Sequence, residues 1–177
     1  MSLKTKSMTP RMLAAAMVVA YFAALDPLSA FGQGAVYVVR HAEKLNEAED
    51  SPLSAEGMKR AEHLAKLLKN GNIKAIYTSD ALRTRQTAQP LANANHLLLN
   101  VIAGGDPNLT AMKIRADHPH DAVLIVGHSN TVGAMVKKWR EDAEITIGPN
   151  DFDQIFVVIP GACPAGWVRF RYGVNDD

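Results

Sequence analysis

The 177-residue sequence contains a single cysteine, Cys163, so an intrachain disulfide is excluded and the chain must fold on its apolar core alone. Cys163 sits in Pro160-Gly161-Ala162-Cys163-Pro164, a turn between strand-like runs, with no neighbour that would make it a nucleophile. Internal repeats, low-complexity tracts and a composition shift marking a second domain are also missing. Gly127-His128-Ser129-Asn130 is not followed by Gly-Lys-Ser/Thr, which removes a Walker phosphate loop. His118-Pro119-His120 lacks a third ligand at standard spacing, so no metal site is expected. There is little net charge: +1 overall. That argues against nucleic acid held by bulk charge.

The first 32 residues differ from the rest. Lys4, Lys6 and Arg11 precede an unbroken apolar run, Met12 to Leu25, and Asp26-Pro27 ends it. At 14 residues the run is short of the roughly 20 that span a bilayer, but it suits the apolar region of a secretory signal. Residues 1–32 are therefore expected to be a signal peptide cleaved near Ala30 to Gly32, with an uncleaved anchor or a buried helix as the alternative. The expected location is periplasmic or secreted, with one domain over 33–177 and no stable membrane span after cleavage. No Cys lies near the end of the run, which argues against a lipoprotein. Of 19 basic and 18 acidic residues, removal of this segment leaves 16 and 17, a net charge near −1.

What remains alternates between strand-like and helical patterns. Apolar runs at Ala35–Val39, Ile73–Tyr77, Leu97–Ile102 and Ala122–Val126 read as strands. Between them lie helical stretches from Ser54, with a stripe of Met58, Ala61, Leu64, Ala65, Leu67 and Leu68, then from about Ala81 to Ala94, and over Leu109–Ala116. A helix opening at Gly127-His128-Ser129-Asn130 is expected to reach about Arg140. Phe156–Ile159 and Trp167–Tyr172 read as late antiparallel strands. The pattern predicts an α/β fold: a three-layer sandwich around a mostly parallel mixed sheet with an antiparallel edge. The longest irregular stretch, Leu45 to Leu53, is expected to lie over the site.

Three strands end in matching polar residues. The first delivers Arg40 and His41, the second leads to Arg83 one turn into its helix, and the fourth ends in His128. In an open parallel sheet these carboxyl ends share one edge, where ligands collect. Two guanidiniums and two imidazoles converging there suit a tetrahedral oxyanion.

Val38-Val39-Arg40-His41-Ala42-Glu43-Lys44, then Pro52-Leu53-Ser54-Ala55-Glu56-Gly57 with Arg60-Ala61, then Leu82-Arg83-Thr84 with Gln86-Thr87-Ala88, then Val126-Gly127-His128-Ser129-Asn130-Thr131 resembles the histidine phosphatase superfamily, which is phosphoglycerate mutase-like in fold. The likeness is to its short, capless bacterial branch. Ala42 departs from the pattern, which usually has Gly there. The resemblance implies that His41 is the nucleophile and forms a phosphohistidine. It implies that Arg40, Arg83 and His128 hold the phosphoryl oxygens, and that no metal or other cofactor is required. Asp106 is expected as general acid and Glu43 as its rival, unless Glu43 only pairs with Arg83 or Lys44. Glu43 and Ser129 are further substrate-binding positions; Ser129 could equally cap the following helix. The implied activity is hydrolysis of a small-molecule phosphate ester without metal, with envelope phosphosugars as a substrate class. The alternatives are a non-catalytic phosphoester-binding protein and a phosphohistidine-protein phosphatase. The oligomeric state stays open.

Overall fold

The central strands of the sheet are built from runs of largely β-branched and aliphatic residues that bury both faces. In a computed structural model, which describes residues 34–161 and 166–173, six strands lie in the order β3-β2-β4-β1-β5-β6. They are β1 (Val36–Arg40), β2 (Ile73–Ser79), β3 (Leu99–Ile102), β4 (Ala122–Gly127), β5 (Gln154–Val158) and β6 (Trp167–Arg171). The first four neighbours in space are parallel; β5 runs antiparallel to β1, and β6 runs antiparallel to β5. The helices are α1 (Ala55–Leu68), α2 (Leu82–Asn95), α3 (Pro107–Asp117) and α4 (Val132–Lys137). The expected signal segment and Cys163 lie outside the described residues.

Alternation along each strand sorts the core into two layers. Val36 and Val38 of β1, with Val123 and Ile125 of β4, face Ile114 of α3 and Val132, Met135 and Val136 of α4. Val39, with Leu124 and Val126, faces Leu64, Ala65 and Leu68 of α1 and Ala88, Leu91 and Ala92 of α2. This is the three-layer sandwich that the strand–helix alternation predicts. None of the described helices is long and apolar enough to cross a membrane.

Several local choices aim the site. The Ser54 hydroxyl caps α1 by accepting the Gly57 N–H at 3.0 Å. A capping box would place Glu at residue 57, but a Cβ there would meet the Glu43 carbonyl oxygen at 2.2 Å. Glycine thus lets α1 press against the chain just after the Arg40-His41 pair. The α1 stripe is narrower than its periodicity predicts, since Met58 and Leu67 are exposed while Ala61, Leu64, Ala65 and Leu68 are buried. Helix α3 starts two residues before the expected Leu109, because Asp106 supplies its cap and Pro107 fits its first turn. Helix α4 stops at Lys137, short of Arg140.

Candidate functional site

Parallel strands β1, β2 and β4 end at one edge, and the residues they release line a cleft of roughly 500 Å³. Arg40, His41, Arg83 and His128 all face it, with Lys44, Glu47, Ala48, Glu49, Gly104, Ser129, Asn130 and Thr131 around them. The loop following β1 forms one wall, as its irregular composition predicts.

His41 is buried at the end of β1, and its backbone N–H is bonded to the Gly127 carbonyl at 2.9 Å, which ties the two histidine-bearing strand ends together. Its Nδ1 lies 2.7 Å from the Ala42 carbonyl oxygen. A carbonyl only accepts, so Nδ1 carries the proton and Nε2 keeps its lone pair. Burial, outweighing the Ala42 hydrogen bond, and then the nearby His128, Arg40 and Arg83 charges lower the imidazole pKa to about 4. Near neutral pH the ring is therefore uncharged and nucleophilic. Ala42 is buried and does not adopt a positive φ, and its N–H donates to Thr87 Oγ1 at 2.9 Å. The alanine thus fits where a glycine is usual.

Arg40 is fixed from behind. Its Nη1 donates to the carbonyls of Gly148 and Pro149, both at 2.8 Å, and its Cζ sits 4.0 Å from the centre of the Phe152 ring. Its Nε is buried with no partner among the described residues. An orphaned donor on a charged group is costly, while the guanidinium as a whole lines the cleft, where its fork suits an oxyanion.

His128 sits 5.4 Å from His41, ring centre to ring centre, with the planes at 63°. Its Nε2 is 2.9 Å from Ser79 Oγ, which is 2.9 Å from Thr84 Oγ1. Thr84 Oγ1 also donates to the Ala81 carbonyl at 2.8 Å. With that proton committed, Ser79 donates to Thr84 and accepts from His128 Nε2–H. The chain therefore steadies His128 as a donor. Burial first, and then the Arg83 charge, lower the His128 pKa. A dianion entering between these groups would raise it again.

The two expected acids are not brought into the cleft. Asp106 instead caps α3, its Oδ1 accepting the N–H groups of Asn108 at 2.7 Å and Leu109 at 3.3 Å. Glu43 is gripped by Arg60, whose Nε and Nη2 donate to both of its carboxylate oxygens, and not by Arg83 or Lys44. Lys44 pairs with Glu47 at 2.5 Å. The carboxylates that do line the cleft, Glu47 and Glu49, belong to the loop. Ser129 lines the cleft, whereas the turn before α4 is closed by Thr131, whose Oγ1 accepts the His128 N–H at 2.9 Å. Asp151 and Asp153 hold structure: Asp151 accepts the Gly148 N–H, and Asp153 pairs with Arg171. His118 pairs with Asp121, and among the described residues no cluster suited to a metal exists.

Sequence reasoning missed the supports: Thr84 behind Ser79, Thr87 under Ala42, Phe152 under Arg40 and Asp50 at the start of α2. Of these, only Thr84 and Thr87 stood within a recognised motif.

The sequence model of the histidine phosphatase superfamily (branch 1) matches residues 36–104. The probable phosphoglycerate mutase GpmB of Proteus mirabilis (strain HI4320) is 39% identical over 66 residues, which cover 33% of this chain and 31% of that protein. The chain thus matches about a third of the length of this curated relative. Among solved structures, the protein histidine phosphatase SixA complexed with tungstate aligns with a TM-score of 0.64 at 21% identity, covering 77% of this chain and 96% of that one. A mycobacterial glucosyl-3-phosphoglycerate phosphatase aligns with a TM-score of 0.57 at 14% identity, covering 78% and 98%. At these identities the structural likeness speaks for a shared fold.

Proposed function

We propose that this chain is a member of the histidine phosphatase superfamily, whose sequence model matches residues 36–104, and a phosphomonoesterase working through a phosphohistidine. One observation carries the reading: His41 presents a neutral Nε2 to a cleft it shares with Arg40, Arg83 and His128. In the first step Nε2 attacks phosphorus, the P–N bond forms, and the P–O bond to the leaving group breaks. The guanidiniums and His128 carry the charge that spreads over the three equatorial oxygens. In the second step water displaces Nε2, inorganic phosphate leaves, and His41 returns to its starting state. None of these roles needs a metal ion.

The basic-then-apolar start of the chain supports export, and an exported enzyme would meet envelope phosphosugars rather than glycolytic intermediates. A structural neighbour that is a glucosyl-3-phosphoglycerate phosphatase is consistent with a sugar phosphate. A second reading, a phosphohistidine-protein phosphatase, draws on the engagement of Asp106 and Glu43 elsewhere. A phosphoramidate leaves as neutral imidazole once its far nitrogen has taken a proton from solvent, so it needs no acid in the cleft.

The test is turnover of p-nitrophenyl phosphate in EDTA by wild type and His41→Ala, with acid-labile, base-stable phosphate sought on the quenched protein. Turnover that survives His41→Ala would end the phosphohistidine mechanism. Loss of wild-type activity in EDTA would point to a metal. A panel of phosphosugars and a phosphohistidine peptide then separates the two substrate classes.

A further inference from the structure

Helix α2 begins without a cap of its own. Its N-cap position is Ala81, which offers no side-chain acceptor to the first turn. The acceptor comes from the loop that walls the cleft: Asp50 Oδ1 takes the Leu82 N–H at 2.6 Å. The next helical residue is Arg83, and its Nη1 donates to the Glu49 carbonyl at 2.8 Å. Consecutive loop residues thus hold consecutive helix residues, one by its backbone and one by its side chain.

The loop is itself braced. Leu45 N–H donates to the Pro52 carbonyl at 2.8 Å, and Lys44 forms a β-bridge with Leu53. Ser51 is buried and its Oγ accepts the Asn46 N–H at 3.1 Å. One turn along α2, Gln86 Oε1 accepts the Leu53 N–H at 2.8 Å. The loop therefore meets α2 at two points, Leu82 and Gln86, and Arg83 lies between them. A carboxylate at this helix end is also favoured by the helix dipole.

We infer that Asp50 is a positioning residue for Arg83: by capping α2 from outside it fixes the loop, and the Glu49 carbonyl then aims the guanidinium into the cleft. Arginine loses little reach when misaligned but much of its fork geometry, and its value to a phosphoryl group depends on that fork. The inference rests on the reading of the cleft as a phosphate site.

The experiment compares Asp50→Ala, Asp50→Asn, Arg83→Ala and the double variant Asp50→Ala/Arg83→Ala in the full chain. Three quantities are measured: inhibition by inorganic phosphate, KM and kcat on p-nitrophenyl phosphate, and amide exchange over residues 45–53 and 82–86. Asp50→Ala is expected to weaken phosphate binding about tenfold, part of the roughly 10²–10³ that a lost oxyanion donor costs. KM should rise by a similar factor while kcat changes less, and the Leu82 and Arg83 amides should exchange faster. Asparagine caps as well as aspartate, so Asp50→Asn should stay close to wild type. In the Arg83→Ala background, Asp50→Ala should cost nothing more, because the group it positions is gone. The inference is overturned if Asp50→Ala leaves phosphate inhibition unchanged, or if its cost is the same with and without Arg83. A failure of Asp50→Asn to rescue would also overturn it. A wild-type protein indifferent to phosphate would instead refute the phosphate reading. The exchange rates then judge the tether alone, and unchanged exchange in Asp50→Ala would refute that as well.

Discussion

His41 makes a prediction about stability that is independent of any substrate. Its pKa is lowered from 6.5 to about 4, chiefly by burial and then by the charges at His128, Arg40 and Arg83, against the opposing pull of the Ala42 carbonyl. The unfolded chain takes up this proton near 6.5, while the folded chain refuses it until about 4. Above the unfolded value both states are neutral here, and stability is at its full level. As pH falls from 6.5 towards 4, only the unfolded state gains a proton, so stability is progressively lost. By pH 4 the loss from this one group approaches about 3 kcal/mol, the equivalent of the pKa difference. His41→Asn removes the group, so the wild-type advantage over the variant should shrink by about 3 kcal/mol between pH 7 and pH 4. With a urea m-value of roughly 2 kcal/mol/M, the gap between the two midpoints would move by about 1.5 M. Urea titrations followed by tryptophan fluorescence at half-unit pH steps would show it. His128 and the carboxylates are common to both proteins, so their own titrations largely cancel in the difference. A gap that stays constant within about 1 kcal/mol from pH 7 to pH 4 would refute the reasoning, and with it the claim that the ring is held neutral.

Two further outcomes follow from the hydrogen-bond network. Glu43→Gln should destabilise the fold by roughly 1–3 kcal/mol, since it leaves the Arg60 guanidinium without its charged acceptor. It should change kcat on p-nitrophenyl phosphate only slightly; a fall of a hundredfold in kcat at unchanged stability would restore Glu43 as the acid. Ser79→Ala removes the acceptor of His128 Nε2–H and should weaken inhibition by phosphate roughly three- to tenfold, the value of one hydrogen bond. Phosphate inhibition left unchanged in Ser79→Ala would rule out this support.

The strand ends were legible because they combine two signals that survive without tertiary information: an apolar run that stops abruptly, and polar residues of one chemical kind at each stop. Arg40, His41, Arg83 and His128 carry that signature, and the sheet brings them to one edge. The alternation of runs also made the three layers readable. Glu43 was misread because its partner, Arg60, is 17 residues away on α1, and nothing local distinguishes it from Lys44 or Arg83 as a mate. Asp106 was misread for the opposite reason. Its partners are the amides two and three residues on, and the Asp-Pro that starts a helix is as good a capping signal as an acidic one. Gly57 carried information that only the structure decodes, since its missing Cβ makes room for a carbonyl and not for a turn.

The displacement of both acids bears on what the cleft can do. Cleavage of an alkyl phosphate releases an alkoxide, which needs a proton at the moment the bond breaks; a nitrophenolate or a neutral imidazole does not. The carboxylates left on the cleft wall are Glu47, which is tied to Lys44, and Glu49, whose backbone holds Arg83. Both lie on the loop that Asp50 pins to α2, so any acid they supply depends on the same clasp that aims the guanidinium. An enzyme arranged this way should discriminate among substrates first by leaving group and only then by shape. The ratio of p-nitrophenyl phosphate to sugar phosphate turnover therefore measures how well this loop substitutes for the acid that Asp106 and Glu43 do not provide.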